Sequence, residues 1–255
     1  MTTFIRYIRL AVRAFIVFFW TLFCYWFGVR WPMILLRQDR SPGAAHVWGK
    51  GLAMIMGVRI RHLTEKPKEM GDLIVSNHMG FLDIPILSSF FPARYIIKDE
   101  ASHVFYFGKA LVLMGHLFVK RTDSKSKRLA GVELYKRLEQ NQRFIVFPEG
   151  RAWPKATRLP FLPGSFSAAK KTNKTVQLCV IDYLPDRRTL EWDVNKSTSS
   201  QLVALFGKRR VDIGIKFFPP ELVKGTAQEI ADRYKSEVER TLAEHDRQRD
   251  KENSQ

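Results

Sequence analysis

Apolar and polar positions follow three different rhythms along the 255 residues, and each predicts a different kind of element. Residues 14–29 carry no charge and are mostly Phe, Trp, Ile, Val and Leu, with Arg6, Arg9 and Arg13 before them and Arg30 after. A buried core helix is the less fitting reading, because the segment is apolar on every face. Its 16 residues fall short of the ~20 that cross a bilayer perpendicular to its plane. Apolar character resumes over 31–36. The expectation is a membrane anchor, either a short span or a re-entrant or interfacial helix pair, with Trp20, Trp26 and Trp31 near the headgroups. A cleavable signal peptide fits less well, because no small-x-small site follows promptly.

Beyond Ser41-Pro42-Gly43, short apolar runs bounded by turn residues alternate with helical periodicity. Strict alternation predicts strands at 58–62 and 211–217, the latter ended by Pro219-Pro220. Compact apolar runs predict further strands at 73–75, 94–98, the Phe144-Ile145-Val146-Phe147 stretch and 176–181. Helices are expected over 44–56, 105–114, 129–140 and 166–171. The 129–140 helix is read from Leu129, Val132, Tyr135 and Leu138 at steps of three, taken as the face that packs on the sheet. Thr226-Ala227-Gln228-Glu229 is a capping box that opens a last helix with Ile230, Tyr234 and Leu242 on one side. This succession predicts an α/β domain, a mixed sheet flanked by helices, over 41–245. The anchor occupies 1–40, and 246–255 reads as a charged, disordered tail.

Charge narrows the partners. A formal net charge of +17 implies an anionic partner, either nucleic acid or an anionic membrane surface. A nucleic-acid-binding protein accounts for the charge but not for the aromatic amino-terminal run, and no nucleic-acid module is recognisable. The two cysteines, Cys24 and Cys179, lie in apolar runs without metal-ligand spacing and read as buried thiols in a reducing compartment. The six histidines form no metal-binding array, so no metal site is expected.

The chemistry concentrates in Ser76-Asn77-His78-Met79-Gly80-Phe81-Leu82-Asp83, directly after the strand at 73–75. His78 then stands at a strand's carboxyl end, where open α/β sheets carry their sites. Asp83 follows five residues later, on a different face if the segment were one helix, but Gly80 permits a turn that unites them. Imidazole and carboxylate are the base-and-orienter pair that deprotonates a hydroxyl. Pro85 suits the first turn of a following helix, which Asp83 is expected to cap. Two further blocks stand out, Gly115-His116-Leu117-Phe118-Val119-Lys120-Arg121 and Phe144-Ile145-Val146-Phe147-Pro148-Glu149-Gly150-Arg151.

From about Gly71 to Asp182 these blocks, in this order, resemble the glycerophosphate acyltransferase family, in particular bacterial 1-acylglycerol-3-phosphate acyltransferases with their NHxxxxD and FPEG signatures. The resemblance implies a glycerolipid acyltransferase-like fold. It also implies transfer of an acyl group from acyl-CoA or acyl carrier protein to the free hydroxyl of a lysophosphatidic-acid-like acceptor, with no other cofactor. His78 would be the base and Asp83 its orienter, with Asn77, Arg121, Glu149, Gly150 and Arg151 serving the substrate. Arg121 would hold the acceptor phosphate. Arg151 follows Gly150 directly, where the family carries Ser or Thr between them, so Lys155 and Arg158 are alternative phosphate ligands. That irregular spacing leaves another lyso-lipid, such as a lysophospholipid or lyso-ornithine lipid, as an alternative acceptor. An inactive membrane scaffold is a further alternative, though it leaves the intact His78 and Asp83 unexplained. The expected location is the cytoplasmic face of the inner membrane, with membrane lipids as partners and no nucleic acid.

Overall fold

A computed structural model describes residues 2–103, 107–152, 159–184, 190, 193 and 195–253. The amino end is one continuous helical run: α1 (Thr2–Phe23), a π-helical stretch (Cys24–Arg30) and α2 (Trp31–Leu35). It does not turn back as a helix pair. Within it, Phe4–Leu35 is long and apolar enough to cross a membrane, 32 residues with mean hydropathy 1.8 over its most apolar window. At 1.5 Å per residue that run measures roughly 48 Å, longer than the ~30 Å hydrocarbon core of a bilayer.

One side of this run is docked on the rest of the chain. The next helix is α3 (Ser41–Ile55). The Trp20 indole donates to the Trp48 carbonyl at 3.1 Å, and the Trp48 indole donates to Thr21 Oγ1 at 3.1 Å. Nearer the amino end, Arg9 donates to the Gly207 carbonyl and Arg13 to those of Phe206, Lys208 and Arg209. The opposite side, including Phe4, Ile8, Phe15, Phe19, Phe23, Phe27 and Trp31, is exposed.

Among the described residues the sheet has eight strands: β1 (Val58–His62), β2 (Leu73–Ser76), β3 (Arg94–Lys98), β4 (Leu117–Val119), β5 (Phe144–Val146), β6 (Thr175–Leu184), β7 (Val211–Phe217) and β8 (Glu221–Leu222). Their order is β1-β7-β6-β2-β5-β3-β4, with β8 paired to the start of β6. β2 to β6 run in one direction and β1 and β7 in the other, because β6 and β7 pair antiparallel. The carboxyl ends of β2, β5 and β6 therefore share one edge of the sheet with the amino ends of β1 and β7.

The alternation of side chains along each strand divides the core into two layers. Leu73, Val75, Phe144, Val146, Val176 and Leu178 face one side. There they pack under α6 (Ser124–Glu139), α7 (Gly164–Lys171) and the last helix. Ile74, Ile145, Ile181, Tyr183, Ile213 and Ile215 face the other side, with α4 (Asp83–Phe90) above them. Between the motifs, α5 (Phe107–Leu113) lies within the helix expected over 105–114, whose first two residues are outside the described residues. Two further helices among the described residues are α8 (Thr198–Gly207) and α9 (Ala227–Asn253).

Two expectations about helices are corrected. In α6, Leu129 and Val132 are exposed, whereas Leu134 and Leu138 are buried. Each step of three residues falls about 60° short of a full turn, so a stripe at constant steps of three winds off the buried face, and a spacing of four holds it. Of the tail, residues 246–253 are helical, because α9 continues to Asn253. Its capping box forms as read, with the Thr226 amide donating to Glu229 Oε2 at 2.7 Å and the Glu229 amide to Thr226 Oγ1 at 3.2 Å. Val238 and Leu242 continue its buried stripe, and His245 reaches Asp182 at 3.0 Å.

Candidate active site

The site forms where β2 ends. Beyond Ser76 the chain leaves the sheet, and the Asn77 carboxamide completes the pairing with β6: its nitrogen donates to the Ile181 carbonyl and its oxygen accepts from the Ile181 amide, both at 2.9 Å. Asn77 is buried and both ends of its amide are engaged, so it clamps the strand rather than facing a substrate. The next amide, of His78, donates to Glu149 Oε2 at 2.7 Å. Glu149 is also buried, with Lys235 of α9 4.0 Å from its other oxygen. Its carboxylate thus positions the His78 backbone from the β5 side, instead of lining an open acceptor pocket.

The chain then folds back over Met79 and Gly80. Asp83, the first residue of α4, turns its carboxylate away from the helix amides, so it does not cap that helix as expected. Asp83 Oδ2 accepts from the amides of Met79 at 2.6 Å and Gly80 at 2.8 Å and from His78 Nδ1 at 2.7 Å. Oδ1 accepts from the Tyr183 hydroxyl at 2.7 Å. Gly80 sits in close quarters: a Cβ there would stand 3.0 Å from the Leu190 carbonyl oxygen and 3.2 Å from Tyr183 Oη, so a side chain would need its neighbours to yield by a few tenths of an ångström.

This geometry assigns the tautomer. A carboxylate can only accept, so Nδ1 carries the proton in the neutral ring and Nε2 presents its lone pair outward. Phe147 fixes the ring plane, stacked at 4.1 Å between centroids and 16° between planes. The His78 side chain is 15% exposed and Asp83 is fully buried, so the imidazole reaches the surface while the carboxylate stays dry. The arrangement can take a proton from a hydroxyl brought to Nε2.

The remaining predicted residues lie in the loops on the β5–β4 side of His78. Gly150 has φ +74°, and its amide closes a turn onto the Phe147 carbonyl at 3.0 Å. That amide is therefore committed to the turn and is not aimed at a reacting oxygen. Arg151 follows it, and Arg121 follows β4; both are exposed. Loss of hydration pulls the Arg121 guanidinium below its usual value, Glu100 opposes this, and Arg151 adds to it, so the two arginines lie within electrostatic reach of one another. Lys155 and Arg158 lie outside the described residues. In the same region His116 is structural: its Nδ1 accepts from the Tyr95 amide at 3.0 Å, and burial first, then Arg94, push its pKa down to about 4.

Sequence reasoning missed Tyr183 and Lys235. Lys235 is a cation among the buried residues of α9, and that interruption was the available signal.

A parallel-edged α/β sheet with an imidazole–carboxylate pair at its carboxyl edge defines a class of group-transfer and hydrolytic domains that activate a hydroxyl or water. Residues 57–182 match the Acyltransferase family and form a domain of that family. The 1-acyl-sn-glycerol-3-phosphate acyltransferase of Helicobacter pylori is 31% identical over 112 residues, which cover 43% of this chain and 47% of that protein. A lyso-ornithine lipid O-acyltransferase of Pseudomonas aeruginosa is 27% identical over 158 residues, 58% of this chain and 60% of that protein. The chain thus spans about half the length of the curated relatives it matches. In fold it is similar to the 1-acyl-sn-glycerophosphate acyltransferase of Thermotoga maritima, with TM-score 0.70, 19% identity, and 96% and 98% of the two chains covered.

Proposed function

We propose that this protein is a membrane-bound O-acyltransferase that acylates the free hydroxyl of 1-acylglycerol-3-phosphate, giving phosphatidic acid, with acyl-CoA or acyl carrier protein as donor. The observation that carries the reading is the His78–Asp83 pair, with Nδ1 tied down and Nε2 turned outward. Nε2 takes the proton of the acceptor hydroxyl as its oxygen attacks the thioester carbonyl. Asp83 stabilises the imidazolium that forms. Collapse of the tetrahedral intermediate breaks the C–S bond, and the leaving thiolate recovers the proton from His78. The ester and the free thiol then depart.

Attack is direct, without an acyl-enzyme. Cys179 is fully buried and burial drives its thiol well above the usual range, so it supplies no thiolate. Arg121 and Arg151 together suit a phosphate monoester, whose charge exceeds one near neutral pH. They hold the acceptor on one side of Nε2.

The membrane reading rests on α1 and its continuation. A helix docked along one side and apolar along the other lies in the interface with its exposed phenylalanines and tryptophans among the acyl chains. Docked in this way it lies along the domain instead of crossing the bilayer, and it keeps the site at the cytoplasmic face where lyso-lipid and donor meet. The basic surface then serves lipid and donor phosphates, not nucleic acid.

A second acceptor class has specific support, because the Pseudomonas aeruginosa relative is named for lyso-ornithine lipid and Arg151 departs from the FPEG spacing. The deciding experiment offers labelled acyl-CoA and labelled acyl carrier protein to the full chain in membranes, with a panel of lysophosphatidic acid, lysophosphatidylcholine and lyso-ornithine lipid. Labelled phosphatidic acid formed fastest supports the proposal. Transfer to another lyso-lipid with none to lysophosphatidic acid overturns the acceptor, and no transfer to any overturns the activity.

A further inference from the structure

A cavity of about 760 Å³ opens on the side of His78 opposite to Arg121 and Arg151. Its place follows from the sheet. β7 and β1 run against β2, so their amino ends share the edge at which His78 stands. β7 lies two strands from β2 and β1 three, which is on the order of 10–15 Å across the sheet. Leu190 links the cavity to the site, since it lines the cavity and its carbonyl oxygen would stand 3.0 Å from a Cβ on Gly80 in the motif turn.

Its walls are of two kinds. Val58, Leu184, Leu190 and Val211 contribute apolar surface, and Arg59, Lys208, Arg209 and Arg210 contribute four cations. Asp212 is the acid among them, and it accepts from Arg210 Nε at 2.8 Å, which orients that guanidinium. The Arg59 and Arg209 side chains make no hydrogen bond or ion pair among the described residues, and both are exposed. The loop that carries Lys208 and Arg209 is held from behind: Arg13 of α1 donates to both of their carbonyls. Gly57, at φ +66°, lets that loop approach, since a Cβ there would stand 2.9 Å from the Arg209 carbonyl oxygen. The cations are thus displayed by a braced turn, and none belongs to the three motif blocks.

We infer that this cavity holds the phosphate-bearing nucleotide of an acyl-CoA donor, its phosphates on Arg59 and Arg209 and its base on the apolar wall. The inference rests on the reading of the protein as a direct acyltransferase. That reaction requires donor and acceptor to be bound together, and both are anionic. One base between two separate cationic flanks meets this requirement. The acceptor phosphate takes the Arg121 and Arg151 side, and the donor nucleotide takes the β7–β1 side, its pantetheine arm leading back past Leu190 to Nε2. A cavity of this volume lies in the range that small-molecule sites occupy, about 300–1,000 Å³.

The test uses the full chain in detergent micelles, with adenosine 3′,5′-bisphosphate as probe and calorimetry as readout. Substituting Arg59→Ala and Arg209→Ala together should weaken its binding at least about tenfold, because two charge-assisted contacts are lost. The Arg59→Lys, Arg209→Lys pair should retain part of the binding and reports on folding. In acyl transfer the double alanine variant should raise the acyl-CoA KM at least about tenfold and move the acceptor KM less than about twofold. A bisphosphate that fails to bind, or binds the double variant as tightly as the parent chain, overturns the inference. So does a rise confined to the acceptor KM, or loss of binding to anionic vesicles with bisphosphate binding intact, which would make the cavity a lipid headgroup site. Calorimetry needs no turnover, so a chain that binds the probe through these arginines yet transfers no acyl group counts against the proposed activity and not against the site.

Discussion

Two histidine–aspartate pairs lie on opposite faces of the same sheet, and by the pair alone they are hard to tell apart. His78 Nδ1 meets Asp83 at 2.7 Å and His245 Nδ1 meets Asp182 at 3.0 Å; both carboxylates are buried and the imidazoles are 15% and 11% exposed. Their addresses separate them. Asp182 and Tyr183 are neighbours on β6, so their side chains leave opposite faces. Tyr183 joins Asp83 at the motif turn, and Asp182 takes the last helix. His78 rises from a turn beyond a strand's end, with Phe147 stacked on its ring and two arginines in the flanking loops. His245 sits on the long helix α9, where its bond closes the final turns onto the sheet. A hydrogen-bonded imidazole–carboxylate pair is therefore not by itself a catalytic one, and on the proposed function the strand-end turn is what equips His78 for chemistry.

Substitutions break this comparison in a graded way. Apart from removing the base itself, Asp83→Asn should cost most, roughly 10³–10⁴-fold in transfer rate, because an amide holds the wrong tautomer. Initial rates on membranes, set beside Asp182→Asn, check it; comparable losses from the two would erase the distinction. Arg121→Ala should raise the acceptor KM at least about tenfold, since a charge-assisted hydrogen bond contributes roughly 1.5–3 kcal/mol. An unchanged acceptor KM, with a rise on Arg151→Ala instead, would move the phosphate to the turn after β5. Tyr183→Phe should lower the rate about three- to tenfold, as Asp83 keeps three of its four hydrogen bonds. His245→Ala should have the smallest effect on transfer, within about twofold per folded chain, and should instead lower the melting temperature. Leaving Asp182 without this partner costs about 1–3 kcal/mol, or roughly 2–10 °C in a chain of this size.

What could be read in the sequence follows from how local each contact is. His78 and Asp83 were legible because five residues of one turn contain both partners, and the strands were legible because alternation is a property of consecutive residues. Asn77 and Glu149 were found as motif positions, but their inward roles depend on Ile181 and on the His78 amide, partners 104 and 71 residues away. Tyr183 stands 100 residues from Asp83, and nothing near it in the chain marks it for that carboxylate. The last helix was cut short because Asp246 onward is charged, although His245 and Leu242 continue the buried stripe that keeps the helix in register. The docked side of α1 was hidden for a similar reason: Arg9 and Arg13 looked like flanking charges, whereas they serve the carbonyls at the end of α8.

The central claim is that the pair at the strand end is the base and the pair under α9 is not. The measurement is acyl transfer to lysophosphatidic acid by wild type, His78→Ala and His245→Ala, normalised to folded protein. The account predicts a loss of roughly 10²–10⁴-fold for His78→Ala and a rate within about twofold of wild type for His245→Ala. A folded His78→Ala chain that transfers at a rate within a few-fold of wild type would contradict it.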